Sequence, residues 1–253
     1  MKPIVPWLGG KRRLLKHILP LIPEHECYVE LFTGGGAVFF GKDNSKNLSV
    51  LNDKDGDLVN LYRVIAHHKD EFVRQFDLML YSREMYIDLK NKKNNHLTDI
   101  QRAANYYARL RMSFAKRTDR GQSFGTWTQG KSIAMFNFAE FESAADMLRT
   151  AIIENGDWLD VAKRYDRPHS FMFADPPYLQ TQGYAVDFDA MEYQKIADFM
   201  RNCKGKVMLT INAHPALDDV FEGLKRIEVP IKYSISKTKK YKESKEWIIC
   251  NYE

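Results

Sequence analysis

Apolar and polar positions divide the chain into stretches of different period. In residues 11–21, Leu14, Leu15, Ile18 and Leu19 share one face at helical spacing, and Pro20 and Pro23 close the helix. Residues 28–32 form a short run suited to a buried strand. A tight turn follows at Thr33-Gly34-Gly35-Gly36, then a helix start at 37–41. Residues 48–51 repeat the strand signal and end at Asn52-Asp53. Strand and helix in alternation predict a parallel sheet with crossover helices.

The middle of the chain changes character. Leu58, Leu61, Tyr62 and Ile65 form a helical stripe, as do Phe72, Phe76 and Leu80, and then Ala103, Tyr107, Leu110 and Phe114. Strand signals are nearly absent until residue 151, so 58–149 reads as a mainly helical insertion. Inside it, Thr118-Asp119-Arg120-Gly121 is a turn signal, which predicts a hairpin or long loop near 117–131. Strands return at 151–154, 170–174, 206–210 and 246–250. A helix over 191–202 places Ile196, Phe199, Met200 and Cys203 on one side. The expected architecture is one α/β domain from 1–57 and 150–253, interrupted by 58–149.

Composition changes this picture little. A chain of 253 residues, 44% hydrophobic and 13% aromatic, is a folded one. No apolar run approaches the ~18 residues of a membrane span, and the first residues lack a secretion signal. Cys27, Cys203 and Cys250 are odd in number and far apart, with no CxxC spacing. They read as reduced thiols of a cytoplasmic protein without a metal site. The net charge of +5 is mild. Its distribution says more: Lys116, Arg117, Arg120 and Lys131 bracket one stretch, and Lys237, Lys239, Lys240, Lys242 and Lys245 crowd another. These are either solvated loops or edges that contact phosphates.

The candidate chemistry lies at the ends of the expected strands. Asp175-Pro176-Pro177-Tyr178 follows the apolar run 171–174, so an acid stands where open α/β sheets bind ligands. The two prolines remove two backbone donors and leave nearby carbonyls without ladder partners. A carboxylate, a free carbonyl and an aromatic face within four residues suit a planar amino group with a stacked ring behind it. The glycine turn lacks the GxGxxG and Walker patterns. It is either a plain turn or a place of close ligand approach. Asp53 follows Gly36 by 17 residues, a spacing at which an acid takes ribose hydroxyls, with helix capping as the alternative. Trp7-Leu8-Gly9-Gly10-Lys11 reads as a buried anchor or as an aromatic wall with a cation offered to a carboxylate. Asp157-Trp158 reads as a cap beside a core ring or as an acid and ring face for adenine.

Taken in order, Trp7-Leu8-Gly9-Gly10-Lys11, residues 30–36, Leu51-Asn52-Asp53 and Asp175-Pro176-Pro177-Tyr178 resemble the Dam-type DNA adenine-N6 methyltransferases. The tail 246–252 resembles that family's closing strand. The likeness runs from Pro6 to Tyr252, loosely in the middle third. It implies a class I methyltransferase, Rossmann-like sheet, mostly parallel with an antiparallel final strand, and makes 58–149 the DNA-recognition insertion. It implies S-adenosyl-L-methionine as cofactor and direct methyl transfer to an adenine flipped out of double-stranded DNA. Cofactor binding would fall to Trp7, Lys11, Glu30, Phe32, Gly34, Gly35, Gly36, Asp53, Asp157, Trp158 and Asp175. Asp175, Pro176, Pro177 and Tyr178 would form the catalytic tetrapeptide. Gly9, Arg111, Ser113, Lys116, Arg117, Arg120, Phe124, Trp127 and Lys131 would meet nucleic acid. The family often has Pro-Phe-Gly after its recognition turn, and this chain has Phe124-Gly125-Thr126-Trp127 instead. A monomer acting in the cytoplasm beside a cognate restriction endonuclease fits this reading. Rival readings are an N4-cytosine methyltransferase, which accepts the same tetrapeptide, and a non-catalytic DNA-binding relative.

Overall fold

The structure, a computed structural model, describes residues 1–7, 9–44, 47–91, 96–113, 123–125, 136–178, 188, 190–233 and 242–253. Seven strands form one sheet: β1 (Cys27–Glu30), β2 (Leu48–Asn52), β3 (Ala151–Glu154), β4 (Ser170–Ala174), β5 (Lys206–Asn212), β6 (Lys225–Tyr233) and β7 (Lys242–Cys250). Their order is β3-β2-β1-β4-β5-β7-β6. The pairs among β1 to β5 are parallel, and β7 is antiparallel to both β5 and β6. This is a mostly parallel α/β sheet with an antiparallel end, the class I methyltransferase arrangement expected above.

The strand order fixes where a site can form. From β1 the chain moves outward through β2 to β3, then returns to place β4 on the other side of β1. The direction of winding reverses between β1 and β4, and a crevice opens at their carboxyl ends. Residues 31–36 and Asp175 lie just beyond those ends.

Apolar side chains cover both faces of the sheet. On one face, Tyr28, Phe171, Phe173, Met208 and Ile248 pack with α2 (Ala37–Gly41), α3 (Gly56–Arg74), α4 (Arg83–Asn91), α5 (Asp99–Met112) and α6 (Phe141–Arg149). On the other, Val29, Met172, Ala174 and Leu209 pack with α7 (Trp158–Tyr165) and α8 (Ala190–Asn202). Helices α3 to α6 therefore share one continuous core with the sheet. Asp55 caps α3, its Oδ1 accepting from Asp57 N at 2.9 Å and Leu58 N at 3.3 Å. Thr98 and Gln101 form a reciprocal capping box on α5. Phe72 joins α3 to its neighbours, with ring centroids 5.7 Å from Tyr107 and 5.8 Å from Phe141.

Three readings of the apolar pattern need correction. The stripe through Phe72, Phe76 and Leu80 is not one helix: α3 ends at Arg74, a turn follows, and Leu80 is 72% exposed. Residues 11–21 are three short turns, with α1 (Leu15–Ile18) between 3-10 turns, because Pro20 prevents continuation. Strand β6 was not anticipated. Its apolar residues Ile227 and Val229 alternate with charges, and Pro230 obscures the signal. Pro230 is tolerated because β6 stands at the edge of the sheet among the described residues.

Because Phe72 is fully buried among rings, Phe72→Ala is expected to lower unfolding free energy by ~3–5 kcal/mol. Urea denaturation measures this, and a loss below ~1 kcal/mol would remove Phe72 from the joint that ties α3, α5 and α6.

Candidate active site

The crevice holds a cavity of about 250 Å³. The glycine turn forms its floor. Gly36 N donates to Thr33 O at 2.7 Å, and Thr33 Oγ1 donates to Asn52 O at 2.9 Å, so the turn is tied to the end of β2. Gly34 has φ +47° and Gly36 has φ +65°, values that favour glycine. A Cβ added at Gly34 would lie 2.6 Å from Trp7 Nε1, so Trp7 packs directly on the turn. Gly36 precedes α2 and does not line the cavity.

Asp53 reaches back to this floor. Its Oδ2 accepts from Gly34 N at 2.8 Å and its Oδ1 from Asp55 N at 2.9 Å. It is Asp55 that caps α3, so Asp53 is not spent on that helix. Burial pushes the Asp53 carboxyl up to about 6, against the hydrogen bonds from Asp55 and Gly34. Across the cavity, Phe32, Trp158 and Phe188 form an aromatic wall, with Phe32 centroids 6.1 Å from Trp158 and 5.7 Å from Phe188. Trp158 Nε1 donates to Glu192 Oε2 at 3.0 Å. Asp157 lines the same end and caps α7 by accepting from Leu159 N at 3.0 Å.

Asp175 closes the other side. Its Oδ1 receives Lys11 Nζ at 2.8 Å and Thr210 Oγ1 at 3.1 Å. Lys11 is nearly inaccessible, donates also to Gly9 O at 2.9 Å, and stands 4.5 Å from the centre of the Tyr178 ring. Burial raises the Asp175 carboxyl to about 6, with the nearby Glu246 charge adding to the rise. Lys11 opposes the rise most strongly and Thr210 also lowers it. Tyr193 of α8 donates its hydroxyl to Pro177 O, so that carbonyl is occupied. Pro177 lines the cavity and Pro176 is buried beside it.

Glu30 also faces the cavity but is held differently. Its Oε2 accepts from Tyr28 OH at 2.8 Å and Phe39 N at 3.1 Å. Burial pushes its carboxyl up to about 8, so it is neutral at pH 7. Among the described residues the cavity thus carries five carboxylates, Asp53, Asp55, Asp157, Asp175 and Glu192, beside neutral Glu30 and against Lys11 and Lys54. Such a lining suits a cationic ligand and resists a phosphorylated one.

Most of the residues singled out in the sequence therefore converge here. The expected nucleic-acid residues are spread more widely. Gly9 sits under Lys11. Ser113 is fully buried and donates to Leu110 O at 3.1 Å. Phe124 bridges to Ser113 and lies near Tyr81, Tyr86 and Arg83. Arg111 lies in the last turn of α5, and its carbonyl accepts from Tyr81 OH at 3.2 Å. Lys116, Arg117, Arg120, Trp127 and Lys131 lie outside the described residues, as do Lys237, Lys239 and Lys240. Sequence reading missed Thr210, Phe188, Glu192 and Tyr193, which meet the site only through tertiary placement.

Known proteins are similar to this chain over most of its length. The family model for D12 class N6 adenine-specific DNA methyltransferases matches residues 7–242. The type II methyltransferase M.CviBI of Paramecium bursaria Chlorella virus NC1A is 28% identical, covering 92% of this chain and 91% of the viral protein. The type II methyltransferase M1.LlaDCHI of Lactococcus lactis subsp. cremoris is 26% identical over 88% of this chain and 85% of its own. The DNA adenine methylase of Escherichia coli K12 is 26% identical over 89% of this chain and 77% of its own.

The neutral Glu30 has a measurable consequence. Its folded value of about 8 lies above the ordinary 4.5. Its contribution to stability is therefore whole below pH ~4.5 and is lost as pH rises through ~8. Glu30→Gln keeps an acceptor for Tyr28 and Phe39 without that titration. Between pH ~6 and ~8.5 the thermal midpoint of the variant should fall less than that of the parent. Parallel curves would show that Glu30 is already ionised at neutrality.

Proposed function

We infer the workings of this site from one premise: the chain belongs to the D12 class N6 adenine-specific DNA methyltransferases. It is a transferase that methylates DNA at adenine N6.

The donor is proposed to be S-adenosyl-L-methionine, seated in the cavity on the glycine turn. Among the described residues the lining fits it in two ways, an acid excess for its sulfonium and amino groups and aromatic faces for its purine. Asp53 would take its ribose hydroxyls, and Phe32, Trp158 and Phe188 its adenine ring. Trp7, Glu30, Gly34, Gly35 and Asp157 would shape the remainder, and Gly36, off the lining, would act only by setting the turn. When bound, it supplies an electrophilic methyl group on sulfur.

The chain's own residues handle the target. The adenine is extruded from double-stranded DNA into the site, because its amino group cannot be reached inside the helix. Asp175 and the Pro176 carbonyl accept the two amino hydrogens, which localises the nitrogen lone pair and aims it. Tyr178 stacks on the extruded ring, offsetting part of the unstacking cost by roughly 1–3 kcal/mol. Lys11 keeps Asp175 ionised and still. Alignment and preorganised charge supply the acceleration, with no covalent intermediate on the enzyme. The single observation that carries this reading is Asp175, fixed by Lys11 at 2.8 Å on the rim of an acidic cavity floored by glycine.

Residues 1–57 and 150–253 would form the catalytic unit, with 58–149 reading the DNA. Arg111, Phe124 and the segment around Lys116, Arg117, Arg120, Trp127 and Lys131 would face the duplex, and buried Ser113 would brace them. We further propose a monomer working in the cytoplasm. A cognate endonuclease is part of the proposal because two relatives are named type II methyltransferases.

Incubation with unmodified genomic DNA and S-adenosyl-L-methionine, followed by single-molecule sequencing, should place N6-methyladenine within one short repeated sequence. Marks on cytosine N4, or none, would overturn the proposal. Asp175→Ala is expected to slow transfer on the order of a hundred- to a thousandfold while duplex binding persists, and to lower the thermal midpoint because Lys11 loses its partner. Near-normal turnover in that variant would remove Asp175 from the mechanism.

A further inference from the structure

We propose that Thr210 is a positioning residue for methyl transfer: its hydroxyl pins one oxygen of Asp175 so that the other is presented to the target amino group. This rests on the role of Asp175 given above and deepens it.

Thr210 lies within β5, where Val207, Met208, Leu209 and Ile211 are all apolar and buried. Its own side chain is fully buried. A hydroxyl there is unfavourable unless it is bonded. The register pairs Ala174 of β4 with Leu209 of β5. The next residues, Asp175 and Thr210, therefore point to the same face, and Thr210 Oγ1 meets Asp175 Oδ1 at 3.1 Å.

The same oxygen receives Lys11 Nζ at 2.8 Å. Oδ1 thus has two donors, which fills its two lone pairs. The donors come from separate elements, the turn before α1 and the strand β5, so together they set the rotation of the carboxylate. Oδ2 takes part in neither contact and is the oxygen through which Asp175 can accept an amino hydrogen. Lys11 alone would leave the carboxylate to swivel about a single ion pair, because an ammonium imposes little direction. The hydroxyl supplies the direction.

The hydroxyl also favours the ionised acid. The charged and titratable groups around Asp175 are Lys11 from the N-terminal turn, Glu30 on β1, Glu246 on β7 and Tyr178 in its own loop. All remain in Thr210→Val, which keeps a β-branched side chain of similar size on the strand. What changes is one donor to Asp175.

The test compares the full-length parent with Thr210→Val, Thr210→Ser and Asp175→Asn. Single-turnover methylation of unmodified genomic DNA is followed across pH. Isotope-edited infrared spectroscopy of the Asp175 carboxyl is recorded on the protein alone. Thr210→Val should slow transfer roughly tenfold at neutral pH and move the acid limb up by about one pH unit. The infrared midpoint should shift in the same direction, and the Kd for S-adenosyl-L-methionine should stay within about twofold. Thr210→Ser should restore rate and profile. An unchanged rate and infrared midpoint in Thr210→Val would overturn the proposal. So would equal losses in the Val and Ser variants with an unshifted pH profile, the mark of a packing role. Full activity in Asp175→Asn would instead sink the underlying reading of the site, whatever Thr210 does.

Discussion

One buried ion pair organises the reactive end of this molecule. Lys11 and Asp175 are far apart in sequence, on the N-terminal turn and beyond β4, yet they meet at 2.8 Å with almost no exposure of the lysine. Burying either charge alone is costly, and removing one partner strands the other. The pair therefore dictates more than its own geometry. It holds the N-terminal segment across the crevice, where Trp7 covers the glycine turn. It also keeps an acid ionised in surroundings that would otherwise favour protonation. The cost in stability is accepted where function needs an oriented charge.

The two acids at adjacent strand ends show how environment divides labour. Glu30 ends β1 and Asp175 follows β4, and the two strands are hydrogen-bonded neighbours. Glu30 is buried and Asp175 largely so, desolvation raises both carboxyls, and the Asp175 charge adds to the rise at Glu30. Asp175 has a lysine and a hydroxyl on one oxygen. Glu30 accepts from the neutral donors Tyr28 OH and Phe39 N, with the Lys42 charge a weaker influence. Glu30 therefore takes up a proton and Asp175 gives its proton up near neutrality. A second full charge beside Asp175 would weaken the ion pair, so the protonation of Glu30 helps preserve it.

Legibility in the sequence follows the distance over which each contact is made. The acid-Pro-Pro-Tyr segment, the glycine turn and Asp53 were readable because their chemistry is local: a strand end, a left-handed backbone and a fixed spacing. The alternation of strands and helices likewise sufficed for the sheet, since hydrophobic runs announce buried parallel strands. Thr210 was not readable. A threonine in a strand is ordinary, and only the β4–β5 register turns it toward Asp175. Phe188, Glu192 and Tyr193 depend on where α8 docks. Leu80 misled because the helical period continues in the sequence beyond Arg74, where the backbone turns. Strand β6 escaped notice because charges and Pro230 mask its alternation, which an edge position permits.

The helical segment between β2 and β3 is tied to the cavity by more than shared core. Tyr106, buried on α5, donates to Asp55 Oδ2 at 2.7 Å. The other oxygen of Asp55 caps α3, and its backbone nitrogen donates to Asp53 Oδ1. Asp53 in turn receives Gly34 N, and Gly34 O accepts from Tyr62 of α3 at 2.6 Å. A circuit of hydrogen bonds thus joins α5, the start of α3 and the glycine floor, with Asp53 and Asp55 partly buried and each partnered. Such a circuit is hard to break at one point without stranding a neighbour. The floor of the cavity is accordingly braced by the helices that frame it, as the proposed alignment of donor and target needs.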